Sequence, residues 1–274
     1  MPDLTKMFDL TGRTAIVTGG AGLLGRQFCA TLAEAGARVA VVDIDDKAAA
    51  EVGEELRGAG HEALSVGTDI SNPGSVAAMA RKTLETFNSL DILVNSAALD
   101  PKFDQENIGQ QGANAFEDFP LDAWNQALGV NLTGMFLVSQ AASKAMLKQG
   151  KGVIINICST YGLVGPDQRI YEREGQPPSF KPVTYTVTKA GVLGLTKYLA
   201  TYYAGKNIRV NALTPGGVFV DHDESFVKAY SARTVIGRMA ERTEMNGALL
   251  FLASDASSYM TGSNLVVDGG WTAW

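Results

Sequence analysis

Short apolar runs and longer amphipathic stretches alternate along the first half of the chain. The β-rich run 15–17 enters a glycine turn, after which apolar residues recur at helical spacing until Gly36. A second strand, 38–43, follows. The alternation continues with helices predicted near 47–57 and 74–87 and strands near 64–68 and 91–95. Such alternation predicts right-handed crossovers and a parallel sheet covered by helices on both faces.

The same pattern resumes after a polar interruption. Residues 99–120 are polar and irregular, and their glycine, proline and asparagine residues break any periodicity. An amphipathic helix is predicted from Asp122 to about Lys148. The almost wholly apolar run 152–158 comes next and is typical of a buried central strand. We therefore expect a strand-and-helix architecture on both sides of this long loop.

Length and composition narrow the class of protein. The 274 residues, 46% of them hydrophobic, favour one large domain with a sizeable core. The net charge of -6 comes without a long basic run, which argues against a nucleic-acid partner. Cys29 and Cys158 lie in apolar segments without a Cys/His cluster, so neither a disulfide nor a metal site is expected. With no secretion signal and no long apolar span, we expect a soluble cytoplasmic protein without a membrane partner.

Three glycines shape the turn after the first strand. Gly19, Gly22 and Gly25 precede the predicted helix. Glycines let the backbone approach a pyrophosphate, and the helix presents free N–H groups and the positive end of its dipole. Asp43, at the end of the second strand, can accept both ribose hydroxyls of NAD and repels a 2′-phosphate. Glycine turns also occur on ordinary surfaces, but the turn, the helix and Asp43 together indicate dinucleotide binding, with NAD as the cofactor.

Polar side chains also stand at the ends of the third and fourth strands. Asp69 and Asn95 are expected at carboxyl ends of parallel strands, where such sheets bind ligands. Asp69 is interpreted either as a cofactor contact or as a helix N-cap, because Ser71 and Asn72 follow. Asn95 either fixes adjacent loops by hydrogen bonding or contacts the cofactor directly.

Tyr185 and Lys189 stand four residues apart in a predicted helix, so phenol and ammonium can meet across one turn. An ammonium about 4 Å from a phenolate gains roughly 4 kcal/mol at an effective dielectric near 20. Because one pKa unit is about 1.4 kcal/mol, we expect the phenol pKa to fall from near 10 to roughly 7, where general acid/base catalysis works best. The spacing alone is common on solvated helix faces, so its neighbours decide the interpretation.

Two further polar residues accompany this pair. Asn131 stands in the middle of the predicted helix 122–148, where it is mildly unfavourable unless it is solvated or marks a local opening that binds water. Ser159 stands at the tip of the apolar run 152–158.

Together these residues resemble the short-chain dehydrogenase/reductase family, over nearly the whole chain from Thr18 to Gly270. The segments around Asn131 and Ser159 and the Tyr-x-x-x-Lys pair match the family pattern. Further matches are 95–98, 211–216 and the ending 261–270. The resemblance implies an α/β fold with one domain over 1–274: a Rossmann-like, doubly wound parallel sheet of about seven strands with helices on both faces.

The resemblance also implies roles for individual residues. The catalytic tetrad maps onto Asn131, Ser159, Tyr185 and Lys189. Tyr185 would transfer the proton, while Ser159 holds the reacting oxygen. Lys189 would lower the tyrosine pKa and grip the nicotinamide ribose, and Asn131 would position a water. The expected NAD-binding residues are Gly19, Gly22, Leu23, Leu24, Gly25, Asp43, Asp69, Ile70, Asn95, Ala97, Tyr185, Lys189, Pro215, Gly216 and Val218. The expected substrate contacts are Ser159, Tyr161, Arg169 and Tyr185.

The sequence departs from the family pattern at three places. Leu23 replaces the usual middle glycine, which leaves a glycine spacing similar to the branch that acts on nucleotide sugars. Val220 replaces a threonine that would hydrogen-bond the nicotinamide amide. An insertion at 163–182 doubles the usual interval between Ser159 and Tyr185 and is expected to overhang the active site. The other insertion, 99–120, is expected to add polar side chains to the rim of the substrate pocket. Residues 217–236 are expected to form a substrate lid.

The expected activity is NAD-dependent interconversion of a secondary alcohol and a ketone. The charged insertion, the Tyr-Gly after Ser159 and the terminal Trp271-Thr272-Ala273-Trp274 look similar to family members that act on sugars, sugar acids or polyols. An epimerase or lyase that uses bound NAD transiently remains an alternative, as does a redox-sensing NAD-binding protein without turnover. The resemblance also implies a homotetramer, with a homodimer as the alternative, packed through its long helices.

Overall fold

Seven parallel strands form the central sheet in this computed structural model, which describes residues 4–100, 114–173 and 175–274. The strands are β1 (Thr14–Thr18), β2 (Arg38–Asp43), β3 (Ala63–Gly67), β4 (Ile92–Asn95), β5 (Gly152–Ile157), β6 (Ile208–Pro215) and β7 (Asn264–Val267). They pair in the order β3-β2-β1-β4-β5-β6-β7. The predicted Rossmann-like sheet is confirmed, and its strand order reverses between β1 and β4, the position at which such sheets bind ligands.

Helices cover both faces of this sheet. They are α1 (Leu23–Glu34), α2 (Asp46–Gly58), α3 (Pro73–Phe87), α4 (Leu121–Leu128), α5 (Met135–Gln149), α6 (Val183–Tyr202), α7 (Glu224–Ser231) and α8 (Asn246–Ala253). One core cluster packs Phe28, Val52 and Leu249 of α1, α2 and α8 against the sheet. The other packs Val138 and Leu199 of α5 and α6 against the opposite face. Because both faces are covered, β1 and β5 are buried along their whole length and are accordingly almost wholly apolar in sequence.

The predicted helix 122–148 is continuous but not uniformly α-helical. A π-helical segment, Gly129–Gly134, joins α4 to α5. The wider π turn inserts one extra residue per turn, and such turns are frequent at functional sites. Asn131 lies in this segment and is 2% exposed. The alternative of a solvated position for Asn131 is therefore wrong. The π-helical segment agrees with a local opening, and the binding of water there stays a prediction.

Two segments stand over the carboxyl edge of the sheet. The insertion 163–182 contains a short 3-10 helix, Gln168–Tyr171. The segment 217–236 contains α7, as predicted near 225–230, and Asp223 caps it by accepting from the Phe226 amide. Whether the segment moves as a lid stays a prediction. Of the predicted loop 99–120, residues 101–113 lie outside the described residues.

No helix within the described ranges is long and apolar enough to span a lipid bilayer.

Candidate active site

The glycine turn leaves no room for side chains at two of its predicted positions. Gly19 has φ of +64°, and a Cβ there would lie 2.7 Å from the Ala97 Cα. A Cβ on Gly25 would lie 1.9 Å from the Gly19 carbonyl oxygen. Helix α1 begins after Gly22, and no side chain caps its first amides. These amides, including those of Leu23 and Leu24, can therefore bind an anionic group.

Asp43 ties the glycine turn to the tip of β2. One carboxylate oxygen accepts the Ala21 amide at 3.0 Å, and the other accepts the Asp45 amide at 3.2 Å. Asp45, in turn, is the N-cap of α2. The structure thus holds the Asp43 carboxylate beside the phosphate-binding turn, the position that the sequence predicted for it.

The two polar strand tips have different surroundings. Asn95 is buried and donates to Ser139 Oγ at 3.0 Å and to Asn156 Oδ1 at 2.9 Å, which favours the interpretation that it fixes neighbouring elements. The alternative of Asp69 as a helix N-cap is wrong, because Asn72 caps α3 by accepting from Gly74 and Ser75. The exposed Asp69 carboxylate accepts instead from the Ser71 amide and hydroxyl. Its cofactor contact stays a prediction.

The remaining cofactor candidates border the same edge of the sheet. The Ala97 amide lies 3.3 Å from the Thr18 hydroxyl, and Ile70 packs where a side chain on Gly134 would stand. Pro215 ends β6, and the following Gly216 has no space for a Cβ because the Asp268 Cα lies 2.8 Å away. Val218 forms a parallel bridge with Ala240. All of these positions lie at carboxyl ends of strands or in the loops that follow them.

Ser159, Tyr185 and Lys189 meet beside this cleft, although β5 and α6 supply them separately. Tyr185 lies in the first turn of α6, and its phenol is hydrogen-bonded to the Ser159 side chain. The Lys189 ammonium lies 5.7 Å from the centre of the Tyr185 ring and donates to the Ile157 carbonyl at 3.0 Å. The structure therefore assembles the predicted serine, tyrosine and lysine at one point.

The expected fall in the Tyr185 pKa is wrong. Burial raises the pKa of the phenol, and the nearby Asp100 carboxylate raises it further, while the hydrogen bond from Ser159 opposes both. Burial also lowers the pKa of Lys189. The simple Coulomb argument omitted the cost of removing both groups from water. At neutral pH the phenol is consequently protonated, which is the form that donates a proton to a ketone.

Asn131 uses its side chain to hold the loop after β4. Its Oδ1 accepts the Leu99 amide at 2.7 Å, and its Nδ2 donates to the Leu99 carbonyl at 3.0 Å and to Thr188 Oγ1 at 3.2 Å. Both amide hydrogens are thereby engaged. The Asn131 side chain thus positions the backbone of Leu99, and the water expected beside Asn131 stays a prediction.

An aromatic cluster forms the wall opposite the glycine turn. Tyr161 meets the Tyr185 ring edge-on at 6.4 Å between centroids and Trp271 edge-on at 6.2 Å. Trp271 stacks on Tyr230 at 4.3 Å. The Tyr171 hydroxyl donates to the Tyr161 hydroxyl at 3.0 Å, and burial raises the pKa of Tyr161 to about 12. The wall is thus built from neutral hydroxyl and indole groups, and contact between Tyr161 and a substrate stays a prediction.

Arg169, the predicted substrate contact, points to the outer surface. Its side chain is 74% exposed, and its guanidinium donates to both oxygens of Asp167 at 2.8 and 2.6 Å. Asp167 also pairs with Arg233, and these hydrogen bonds lower its pKa to about 2. These contacts of Arg169 do not include the tetrad residues, so its contact with a substrate stays a prediction.

Sequence reasoning missed two charged residues that do reach Tyr185. The Lys181 ammonium lies 4.0 Å from the centre of the Tyr185 ring, and it donates to both oxygens of Asp100 at 2.7 and 2.8 Å. Two signals in the sequence were available. Lys181 stands four residues before Tyr185, just ahead of α6, and Asp100 lies in the loop that follows β4.

Known proteins resemble this chain over nearly its whole length. A family model described as enoyl-(acyl carrier protein) reductase matches residues 20–272. The protein is 37% identical to a cis-4-hydroxycyclohexanecarboxylate dehydrogenase of Sinomonas cyclohexanicum over 266 residues, which cover 95% of this chain and 97% of the relative. The chain belongs to the short-chain dehydrogenase/reductase family. As a member of this family of oxidoreductases, it is expected to act with a nicotinamide cofactor.

Other members of the short-chain dehydrogenase/reductase family extend the comparison. A D-threitol dehydrogenase of Mycolicibacterium smegmatis is 33% identical over 270 residues, covering 97% of this chain and 95% of the relative. A gluconate 5-dehydrogenase of Burkholderia cenocepacia, solved in complex with NADP and tartrate, superposes with a TM-score of 0.86 at 30% identity. That superposition covers 99% of this chain and all of the other.

The residues of the cleft fit the nicotinamide cofactor that the family binds. The close approaches at Gly19 and Gly25, the uncapped start of α1 and the carboxylate of Asp43 suit a pyrophosphate and the adenosine ribose. Lys189 is buried beside Tyr185 in this short-chain dehydrogenase, and its contact with the nicotinamide ribose stays a prediction.

Proposed function

We propose that this protein is an NAD-dependent dehydrogenase that interconverts a secondary alcohol and a ketone on a sugar acid, polyol or similarly polar ring. The observation that carries the proposal is the contact of Ser159 with Tyr185 and Lys189 beside the glycine turn. A bound nicotinamide supplies the hydride acceptor or donor. The chain itself contributes proton transfer, orientation and the exclusion of water.

The proton would pass through the Tyr185 phenol. The Ser159 hydroxyl, which also accepts the Tyr161 amide at 3.2 Å, would hold the reacting oxygen of the substrate in hydrogen-bond reach of that phenol. Lys189 is fixed by the Ile157 carbonyl, so its charge would stabilise a phenolate once the proton has left. Because burial raises the Tyr185 pKa, ketone reduction begins with the correct protonation state at neutral pH.

Asp43 supports NAD as the preferred cofactor. Its carboxylate, anchored by the Ala21 amide, would repel a 2′-phosphate on the adenosine ribose. Asp43→Ser should shift the ratio of kcat/KM for NADP over NAD by about tenfold or more, since like-charge contact costs several kcal/mol. Asp45→Asn keeps the N-cap of α2 while removing a neighbouring charge, so its effect should be far smaller. An enzyme that prefers NADP before any substitution would contradict the assignment.

The substrate class is supported by the relatives and by the wall of the pocket. The relatives are named for a hydroxycyclohexanecarboxylate, threitol and gluconate. The hydroxyl pair of Tyr161 and Tyr171 offers hydrogen bonds to such polar groups. We therefore favour hydroxy acids and polyols over the acyl carrier thioesters named by the family model.

A panel assay tests the proposed function. NADH formation would be followed with gluconate, threitol and cis-4-hydroxycyclohexanecarboxylate, and NADH consumption with a crotonyl thioester. Oxidation of at least one hydroxyl compound supports the proposal. Turnover of the thioester alone would replace it with an enoyl reductase. Interconversion of sugar isomers without net NADH would replace it with an epimerase, the alternative favoured by the Gly19, Gly22 and Gly25 spacing.

We also propose that copies of this chain assemble through α5 and α6. Both helices expose large apolar side chains, namely Phe136 and Leu147 on α5 and Tyr198 and Tyr202 on α6. Exposed apolar groups of this kind are typical of interfaces between subunits.

A further inference from the structure

Lys181 and Lys189 both place an ammonium over the Tyr185 ring, and Lys181 is the nearer of the two. Its ammonium lies 4.0 Å from the centre of that ring, and the Lys189 ammonium lies 5.7 Å from the same centre. The catalytic phenol is thus flanked by two cations. Only one of them, Lys189, belongs to the tetrad.

Asp100 balances the charge of Lys181. Both of its oxygens accept from the Lys181 ammonium, at 2.7 and 2.8 Å. The Lys181 side chain is 12% exposed, whereas that of Asp100 is 42% exposed. The Asp100 carboxylate is thus the more solvent-accessible partner of the pair, and the Lys181 ammonium is the more buried one.

The backbone on both sides of this pair is fixed. The Gln168 side chain accepts the Lys181 amide at 2.8 Å and donates to the Lys181 carbonyl at 3.3 Å. Asn131 holds Leu99, the residue before Asp100, through its amide and its carbonyl. Two anchored segments thus hold the Lys181 ammonium and the Asp100 carboxylate together, with the ammonium over the Tyr185 ring.

Other cations of the insertion 163–182 are held at its surface. Arg169 is bound to Asp167, and Arg173 is bound to Asp223 on the segment that leads into α7. Both pairs lock the insertion rather than face the tetrad. Lys181 is therefore the cation of this insertion that a substrate on Tyr185 would meet.

We propose that Lys181 binds a carboxylate of the substrate, and that Asp100 is an internal counterion which this carboxylate displaces. The inference rests on the proposed dehydrogenase function and specifies its substrate class as hydroxy acids. A carboxylate for carboxylate exchange preserves the charge balance around the two ammonium groups. It also suits the hydroxy acids named for two of the similar proteins.

A matched pair of substrates tests the proposal. Wild type and Lys181→Met would be assayed with a hydroxy acid and its neutral counterpart, cis-4-hydroxycyclohexanecarboxylate with its carboxamide or gluconate with glucitol. Loss of one charge-assisted hydrogen bond should lower kcat/KM for the acid about tenfold or more relative to the neutral compound. Equal losses for both compounds would overturn the proposal, because they would indicate a purely structural lysine.

Asp100→Asn provides a test in the opposite direction. If Asp100 competes with the substrate, its neutralisation should lower KM for the acid several-fold and leave KM for the neutral compound unchanged. If the salt bridge serves only stability, Asp100→Asn should instead raise KM, because loss of either partner loosens the pocket. A KM for the acid that rises in Asp100→Asn would therefore overturn the inference.

Two further variants control for charge and folding. Lys181→Arg keeps a cation and should retain most of the preference for the acid. Lys206→Met removes one exposed lysine just before β6, at the opposite edge of the sheet. It should leave kcat/KM unchanged for both the acid and the neutral compound.

Binding of cyclohexanecarboxylate and of cyclohexanecarboxamide to the NADH-loaded enzyme, measured by calorimetry, gives a readout without turnover. Lys181→Met should weaken the binding of cyclohexanecarboxylate and leave the binding of cyclohexanecarboxamide unchanged. Thus, if no hydroxyl compound is oxidised, the proposed function fails while this measurement still decides the role of Lys181. Equal binding of the carboxylate by wild type and Lys181→Met would overturn it.

Discussion

The two walls of the active-site cleft are built in different ways. The nucleotide wall, formed by β1, the glycine turn, α1 and the tip of β2, is shaped by close contacts between backbone atoms, as at Gly19 and Gly25. The substrate wall, formed by the insertion 163–182, α7 and Trp271, is shaped by aromatic contacts and ion pairs. Its Arg173–Asp223 pair joins residues 50 positions apart in the chain.

This difference indicates where the protein can change its specificity. A side chain added to the nucleotide wall collides with backbone, which cannot move without disturbing the sheet. A substitution in the substrate wall alters side-chain contacts while the strands beneath keep their pairing. We therefore expect nucleotide-wall variants to lose cofactor binding and substrate-wall variants to change KM for the substrate, which leads to three predictions.

The largest effect is expected where the two walls meet, at Tyr185. Tyr185→Phe should lower kcat by at least about 100-fold, because removal of a general acid/base typically costs that much. The phenol hydroxyl is lost while the ring remains, so the contacts with Tyr161 and Lys181 are kept. Affinity for NADH, measured by fluorescence titration, should stay within a few-fold of wild type.

The matched control for this prediction is Tyr198→Phe. It removes a phenol hydroxyl from an exposed position on the same helix, α6, and should leave kcat unchanged. If Tyr185→Phe retained wild-type turnover, the assignment of the phenol as the proton carrier would be wrong.

The second prediction concerns the nucleotide wall alone. Gly25→Ala places a Cβ 1.9 Å from the Gly19 carbonyl oxygen, so the turn must move. We expect NADH affinity to fall at least tenfold and the free energy of unfolding to fall by about 1–3 kcal/mol, as for other overpacked sites. Gly194→Ala, in open space on α6, should instead stabilise the protein by about 0.5–1 kcal/mol. Full NADH affinity in Gly25→Ala would contradict this account of the glycine turn.

The contrast between the walls also explains what could be predicted from sequence. The glycine turn, Asp43 and the alternation of strands and helices are local patterns, so the sequence predicted the sheet, its helices and the position of Asp43. Contacts between residues that are distant in the sequence have no such local pattern. Lys181 and Asp100 lie 81 positions apart, and nothing in either segment predicts their pairing.

Burial was the second quantity that sequence did not provide. The pKa expected for Tyr185 included only the attraction of Lys189, at a fixed dielectric constant. In the folded protein both groups are removed from water, and this burial raises the Tyr185 pKa and lowers that of Lys189. The hydrogen-bond partners of Asn131 could not be predicted for a related reason. Its position in a π-helical segment brings its side chain to Leu99, a partner 32 residues earlier.

The smallest effect is expected in the substrate wall, at the Arg173–Asp223 pair. Asp223→Asn removes this ion pair but keeps an N-cap for α7, because asparagine caps helices as well as aspartate. For so exposed a pair, the free energy of unfolding at pH 7 should fall by at most about 1 kcal/mol. KM for the substrate should rise a few-fold, while NADH affinity stays unchanged. A loss of NADH affinity as large as that of Gly25→Ala would break the distinction between the walls.

The pH dependence of the same variant sharpens this last prediction. Burial opposes ionisation of Asp223, but hydrogen bonds from Ser225, the Phe226 amide and Arg173 outweigh it and lower its pKa to about 2. An unfolded aspartate has a pKa of about 3.9, so the ion pair stabilises the fold fully above that pH and progressively less as pH falls towards 2. The free energy of unfolding, measured with urea, should therefore differ between wild type and Asp223→Asn by the same amount at pH 7 and pH 5. The difference should be smaller at pH 3. A difference that grows on acidification would mean that the Asp223 carboxylate destabilises the substrate wall.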